Sequence, residues 1–130
     1  MAKKSKKAKK AEAHSGPPVV HTITMSVSGD TLVFDQSPPD TEPGGPNPPT
    51  NGESVRVDPG DTVIWKSDDG NFSAVFTDDS PLDDFSFGGE GGGHSRAGLV
   101  KHKSKKHYKY FAAVATGAGV KQKDPDIVIT

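Results

Sequence analysis

The chain contains no cysteine among its 130 residues, and this absence excludes disulfide bonds and thiolate chemistry. No run approaches the roughly 18 apolar residues of a membrane-spanning helix, so we predict no membrane span. The basic N-terminus is not followed by the apolar segment of a secretory signal peptide, and we therefore expect a cytoplasmic protein. Hydrophobic residues make up only 31% of the sequence, which predicts that part of the chain does not pack into a core.

The sequence also lacks the patterns that carry common catalytic chemistry. It has no Gly-x-Ser-x-Gly elbow, and the glycine-rich stretch 88–98 lacks the Lys-Ser/Thr ending of a phosphate-binding loop. The acidic residues between positions 68 and 84 do not follow the spacing of a calcium-binding EF-hand loop, so we interpret them as solvated loop carboxylates. Because the sequence places no nucleophile beside a base, we predict that the protein is not an enzyme and has no catalytic residues.

The net charge of −1 conceals three segments of alternating sign. Residues 1–12 carry six Lys and one Glu, residues 13–95 carry two basic and fourteen acidic residues, and residues 96–130 carry eight basic and two acidic residues. Such segregation bears on partners and solubility rather than on the fold. The predicted contacts for nucleic acid or another polyanion, bound weakly and without sequence preference, are Lys3, Lys4, Lys6, Lys7, Lys9, Lys10, Lys101, Lys103, Lys105 and Lys106.

Residues 1–17 are predicted to form a disordered tail, because like charges repel and no apolar stripe offsets them. The simplest interpretation of the tail is that it keeps the protein soluble. An alternative is a tether to nucleic acid or another anionic surface, on which the Ala and Lys residues could become helical.

The remaining segment, 18–130, shows a period of two that is typical of half-buried strands. We predict strands at 19–27, 31–35, 53–57, 62–66, 71–77, 85–87, 108–116 and 127–129. A Pro/Gly-rich loop is predicted at 36–52 and a mobile Gly-rich loop at 88–98, since proline cannot donate to a strand ladder and glycine loosens the backbone. Short strands with turn residues between them and no helical period predict an all-β, antiparallel Greek-key β-sandwich.

Two stretches carry a resemblance to a known family. Residues 55–65 read Val-Arg-Val-Asp-Pro-Gly-Asp-Thr-Val-Ile-Trp, and residues 108–130 read as a Tyr- and Ala-rich strand, a Gly turn and a closing Asp-Pro-Asp-Ile-Val-Ile strand. Together, and in this order, they resemble the plastocyanin-like cupredoxins. The resemblance implies a cupredoxin-like sandwich, with a pole at which His, Cys and Met side chains would hold copper.

The chain departs from the family at those ligand positions. The position of the first His falls at or beside Phe72, and that of the Cys falls near Ala112 to Val114. No His or Met occurs after His107. Copper requires imidazole and thiolate donors, so we predict a pole filled by packing, with no metal and no cofactor.

The five histidines offer little to a different metal site. His14 lies in the tail, and His21 lies on the buried face of the first strand, where a hydrogen-bonded structural role is more common than a ligand role. In an extended segment, His102 and His107 would lie on opposite faces, among lysines that repel cations. The fifth histidine is His94.

These features predict a non-enzymatic, copper-free cupredoxin-like module with a binding or structural role and an unspecified protein partner. One alternative is an electron-transfer or metal-handling protein with an atypical site. A second alternative is a polyanion binder that acts through its basic tail or through segment 101–109.

Overall fold

The computed structural model describes residues 17–39 and 53–130, which form strands and turns and no helix. No helix that could cross a membrane is therefore found in these two ranges. Residues 1–16 of the predicted tail and residues 40–52 of the predicted Pro/Gly-rich loop lie outside the described residues. The strands are β1 (Val20–Ser28), β2 (Thr31–Ser37), β3 (Ser54–Val57), β4 (Thr62–Lys66), β5 (Asn71–Val75), β6 (Ser86–Gly89), β7 (Gly98–Leu99), β8 (His107–Lys109), β9 (Phe111–Thr116), β10 (Gly119–Lys123) and β11 (Asp126–Ile129).

The strands form three hydrogen-bonded sheets. Sheet A has the order β2-β1-β4-β7, sheet B has the order β3-β11-β8, and sheet C has the order β10-β9-β5-β6. Strand β10 of sheet C contacts β2 of sheet A, and β6 contacts β4, so sheets A and C face each other across one core. The all-β prediction is therefore confirmed, and the arrangement is consistent with a β-sandwich.

Two strand pairs differ from the antiparallel prediction. Strands β1 and β4 are parallel, with Ile23 opposite Trp65, and strands β3 and β11 are parallel, with Val55 opposite Ile127. Sheets A and B are therefore mixed. Alternation of apolar residues reports which face of a strand is buried, but it does not report the direction of the strand that pairs with it.

The predicted buried faces are confirmed for the main strands. On β1 the residues His21, Ile23 and Met25 are buried, while Val20 is exposed. Trp65 on β4 is completely buried. The core consists of Ile23, Met25, Leu32, Phe34, Val55, Val57, Val63, Trp65, Phe72, Ala74, Phe76, Leu82, Phe87, Val100, Tyr108, Tyr110, Ala112, Val114, Ile127 and Ile129.

The segment predicted as one strand over 108–116 is divided between two sheets. Strand β8 pairs with β11 in sheet B, and β9 pairs with β5 in sheet C. Tyr110 lies at the crossing, where its backbone N–H donates to the carbonyl of Pro125 at 3.0 Å. The chain changes sheets while keeping the same face toward the core, so the alternation of residues continues without a visible break.

Some residues that were predicted to lie in loops belong to strands. Gln36 and Ser37 belong to β2, and the Gly-rich stretch contributes to β6 and β7 at its two ends. Strand β10 was not predicted. Glycine in β7 has a packing reason: a Cβ atom added to Gly98 would lie 2.8 Å from the ring of Phe87.

Candidate functional site

The positions that correspond to copper ligands in the family resemblance lie side by side in sheet C. Phe72 on β5 pairs with Val114 on β9, and Ala74 pairs with Ala112. Phe72 is 5% exposed, and the other three side chains are completely buried. Each of these side chains is a hydrocarbon, so this part of the sheet offers packing surface and no donor atom to a metal.

Close backbone approach leaves little free space around these residues. A Cβ atom added to Gly89, which is opposite Phe72, would lie 2.8 Å from the Cζ atom of the Phe72 ring. A Cβ atom added to Gly70 would lie 1.8 Å from the carbonyl oxygen of Ala115. Both glycines allow neighbouring elements to pack directly against β5 and β9.

An aromatic cluster lies in the core beside this packed region. The indole Nε1–H of Trp65 donates a 3.1 Å hydrogen bond to the hydroxyl of Tyr110. The Trp65 ring centroid lies 5.1 Å from that of Phe87 and 6.3 Å from that of Phe76. Burial raises the pKa of the Tyr110 hydroxyl, and the hydrogen bond from Trp65 opposes this rise. The cluster therefore contains a neutral, fully buried Trp–Tyr pair.

The buried histidine that the sequence identified is bonded to a buried acid. The Nε2–H of His21 donates to the Oδ2 atom of Asp61 at 2.8 Å, and Asp61 is 1% exposed. The same carboxylate accepts the backbone N–H groups of Val19 and Asp58, each at 3.0 Å. Asp61 thus joins the start of β1 to the turn between β3 and β4, which agrees with the interpretation of His21 as a hydrogen-bonded structural histidine.

The other described histidines lie in different segments: His94 before β7, His102 before β8 and His107 in β8. The Nδ1–H of His94 donates to the carbonyl of Ser95 at 2.7 Å, and the Nε2–H of His107 donates to Asp126 at 2.6 Å. His102 is exposed on the segment that precedes β8. Within residues 17–39 and 53–130, no three His, Asp or Glu side chains come together in a group that could hold a metal ion.

Several of the acidic loop residues remain at least partly exposed, as expected of solvated carboxylates, and also accept hydrogen bonds from other parts of the protein. Asp69 accepts the backbone N–H of Val27 at 2.7 Å, and Asp84 forms a salt bridge with Arg96. Asp79 accepts a 2.9 Å hydrogen bond from Lys103, and this bond lowers the pKa of the Asp79 carboxyl. These carboxylates connect loops to other parts of the protein through contacts between residues that are 12 to 42 positions apart in the sequence.

The described part of the predicted polyanion surface is a non-strand segment with a fixed backbone. The N–H of Lys101 donates to the carbonyl of Pro81 at 2.8 Å, and the carbonyl of Lys106 accepts the N–H of Ile129 at 2.9 Å. The carbonyl of Lys105 accepts the hydroxyl of Tyr108 at 2.9 Å. The side chains of Lys101, Lys105 and Lys106 are exposed, whereas the half-buried Lys103 is paired with Asp79.

The structure therefore exposes three of the four predicted lysines of this segment, and it pairs the fourth, Lys103, with Asp79. The six lysines of the tail lie outside the described residues.

Comparison with protein-family models and with curated proteins finds no match for this chain.

The sequence did not predict Asp61 as the partner of His21 or Tyr110 as the partner of Trp65. Their separations of 40 and 45 residues explain this, since no local pattern reports such pairs.

Proposed function

We propose that this chain is a non-enzymatic, copper-free binding or structural module built on a cupredoxin-like Greek-key β-sandwich. The observation that carries the proposal is the pairing of Phe72 with Val114 in sheet C, next to the pair Ala74 and Ala112. Phe72, Ala112 and Val114 fall at or near ligand positions in the family resemblance. Here they hold buried hydrocarbon side chains, which contribute to the stability of the core instead of binding a metal.

Titration with Cu(II) tests the copper-free part of the proposal. We expect purified full-length protein to bind no stoichiometric copper, as measured by isothermal titration calorimetry and by metal analysis after gel filtration. The variants His21→Ala, His102→Ala and His107→Ala serve as controls. A saturable site of one copper per chain that disappears in any one of them would contradict the proposal and favour the metal-handling alternative.

A second function, polyanion binding, is favoured by the geometry of the segment 101–106. Its backbone is held at Lys101, Lys105 and Lys106 by hydrogen bonds to the body of the protein, and the side chains of these three lysines are exposed. An ordered backbone lowers the entropy that is lost when lysines engage an anionic polymer. Each lysine–phosphate contact releases counterions, so affinity would fall steeply as salt concentration rises.

A matched pair of triple variants tests this second function with single-stranded DNA as the probe. Replacing Lys101, Lys105 and Lys106 by Gln should weaken binding and reduce the slope of log K against log salt concentration by about two to three units. The control replaces Arg96, Lys121 and Lys123 by Gln; these residues lie outside the segment and pair with Asp84, Asp30 and Glu53 respectively. Equal losses in both triple variants would show that only total charge matters, and would contradict a defined contact segment.

A further inference from the structure

Lys103 differs from the other lysines of the segment 101–106 because an acid of the protein itself binds its ammonium group. The Nζ atom of Lys103 donates a 2.9 Å hydrogen bond to the Oδ1 atom of Asp79. The side chain of Lys103 is 32% exposed and that of Asp79 is 42% exposed, so solvent reaches both partners. A surface ion pair of this kind contributes little to stability, and a competing anion can therefore replace the carboxylate.

The loop that carries Asp79 is joined to the lysine segment by backbone contacts as well. The N–H of Lys101 donates to the carbonyl of Pro81 at 2.8 Å, and Leu82 forms a β-bridge with Val100. These contacts do not involve the side chain of Lys103. The carboxylate of Asp79 therefore stays beside the segment even when Lys103 turns toward another partner.

Asp79 acts electrostatically on more than one lysine of the segment. The hydrogen bond from Lys103 is the largest cause that lowers the pKa of the Asp79 carboxyl, and the charge of Lys105 acts in the same direction. The N–H of Ser80 also donates to the Oδ1 atom of Asp79, at 2.8 Å. Asp79 is thus ionised at neutral pH and held in place, and its negative charge opposes the approach of an anionic polymer to this segment.

We propose that Lys103 is a fourth phosphate contact of the segment and that Asp79 is a built-in competitor for it, which limits the affinity of the protein for nucleic acid. This inference rests on the polyanion binding proposed above. A phosphate that replaces Asp79 at Lys103 releases a further counterion, but the existing ion pair is broken and an unpaired carboxylate remains beside the phosphate. The exposed lysines Lys101, Lys105 and Lys106 meet no such competition from an ion pair within the segment, so they carry the binding while Asp79 is present.

Substitutions in the full-length chain test the proposal, with a fluorescent single-stranded DNA oligonucleotide as the probe and anisotropy as the measurement. Asp79→Asn should bind about two- to fivefold more tightly at low salt. Its slope of log K against log salt concentration should be steeper by about 0.7, the value for one added contact to a single strand. Adding Lys103→Gln to this variant restores the original net charge and should return the affinity to that of the original chain. Asp79→Ala repeats the removal of charge with a different side chain and should give the same gain as Asp79→Asn.

The matched control is Asp84→Asn, which removes one negative charge from the same loop and releases Arg96, a residue outside the segment. It should tighten binding less than Asp79→Asn does. An equal gain in the two variants would show that only net charge matters and would overturn the inference.

Two further results separate this inference from the function on which it rests. Binding by the original chain that neither Asp79→Asn nor Asp79→Ala strengthens would overturn the competitor role and leave polyanion binding intact. Weaker binding by the Asp79→Asn/Lys103→Gln double variant than by the original chain would also overturn it, because Lys103 would then contact the polymer in spite of Asp79. Absence of binding by the original chain and by Asp79→Asn would overturn the polyanion function together with the inference.

Discussion

The indole N–H of Trp65 on β4 donates a hydrogen bond to the hydroxyl of Tyr110, which lies between β8 and β9. Their ring centroids are 5.4 Å apart with an interplanar angle of 72°, so the pair combines an edge-to-face contact with a polar one. Trp65 belongs to sheet A, and Tyr110 marks the crossing from sheet B to sheet C. This pair therefore links all three sheets at one point in the core.

Replacing Trp65 by Ala should lower the free energy of unfolding by about 3–5 kcal/mol. The substitution removes a completely buried side chain and leaves a cavity between Phe76, Phe87 and Tyr110. Urea unfolding followed by circular dichroism measures the change. Trp65→Phe is the control and should lose less, because it keeps part of the aromatic packing. A loss below about 1 kcal/mol in Trp65→Ala would contradict the assigned role of the indole in the core.

Tyr110 should make stability decline at alkaline pH. Burial raises the pKa of its hydroxyl, so the unfolded chain releases this proton near pH 10, while the folded chain retains it. The Tyr110 hydroxyl therefore makes its full contribution to the free energy of unfolding below about pH 10. Above that pH the free energy of unfolding falls, by up to about 1.4 kcal/mol per pH unit.

Urea unfolding of Tyr110→Phe between pH 8 and 11 separates two effects of this hydroxyl. The variant should be less stable by about 1–3 kcal/mol at pH 8, because the Trp65 N–H loses its acceptor. It should also show a shallower alkaline decline than the original protein. Parallel pH profiles for the two proteins would show that another group, such as Tyr108, causes the decline.

Replacing Asp61 by Ala should destabilise the fold by about 3–5 kcal/mol, because it leaves His21 and two backbone N–H groups without their acceptor. Asp30→Ala is the control: Asp30 also pairs with a basic side chain, Lys121, but it is exposed, so its loss should cost less than about 1 kcal/mol. Thermal and urea unfolding measure both. Similar losses in the two variants would argue against a structural role for the buried pair.

Deleting residues 1–12 should leave the thermal midpoint nearly unchanged and weaken retention on heparin at low salt. The segment carries six Lys and no apolar stripe, so it adds positive charge without adding to a core. Differential scanning calorimetry and salt elution measure the two effects. Equal retention of the full-length and shortened chains would assign the contact to Lys101, Lys105 and Lys106, or show that the tail only improves solubility.

The amino-acid pattern is sufficient to predict which face of each main strand is buried. Alternation placed His21, Ile23 and Met25 on one side of β1, and the turn before Thr62 set the register that buries Trp65. This information is local, because side chains along a strand point alternately to opposite faces. The same pattern predicted the buried Tyr108, Tyr110, Ala112 and Val114, although it did not show that the chain changes sheets among them.

The pairing of strands and of distant side chains could not be predicted in this way, because it depends on the folded chain as a whole. The parallel pairing of β1 with β4, the His21–Asp61 bond and the Lys103–Asp79 ion pair depend on contacts between residues far apart in the chain. Residue type and spacing fix local direction, whereas register between distant strands is set by the free energy of packing the whole core.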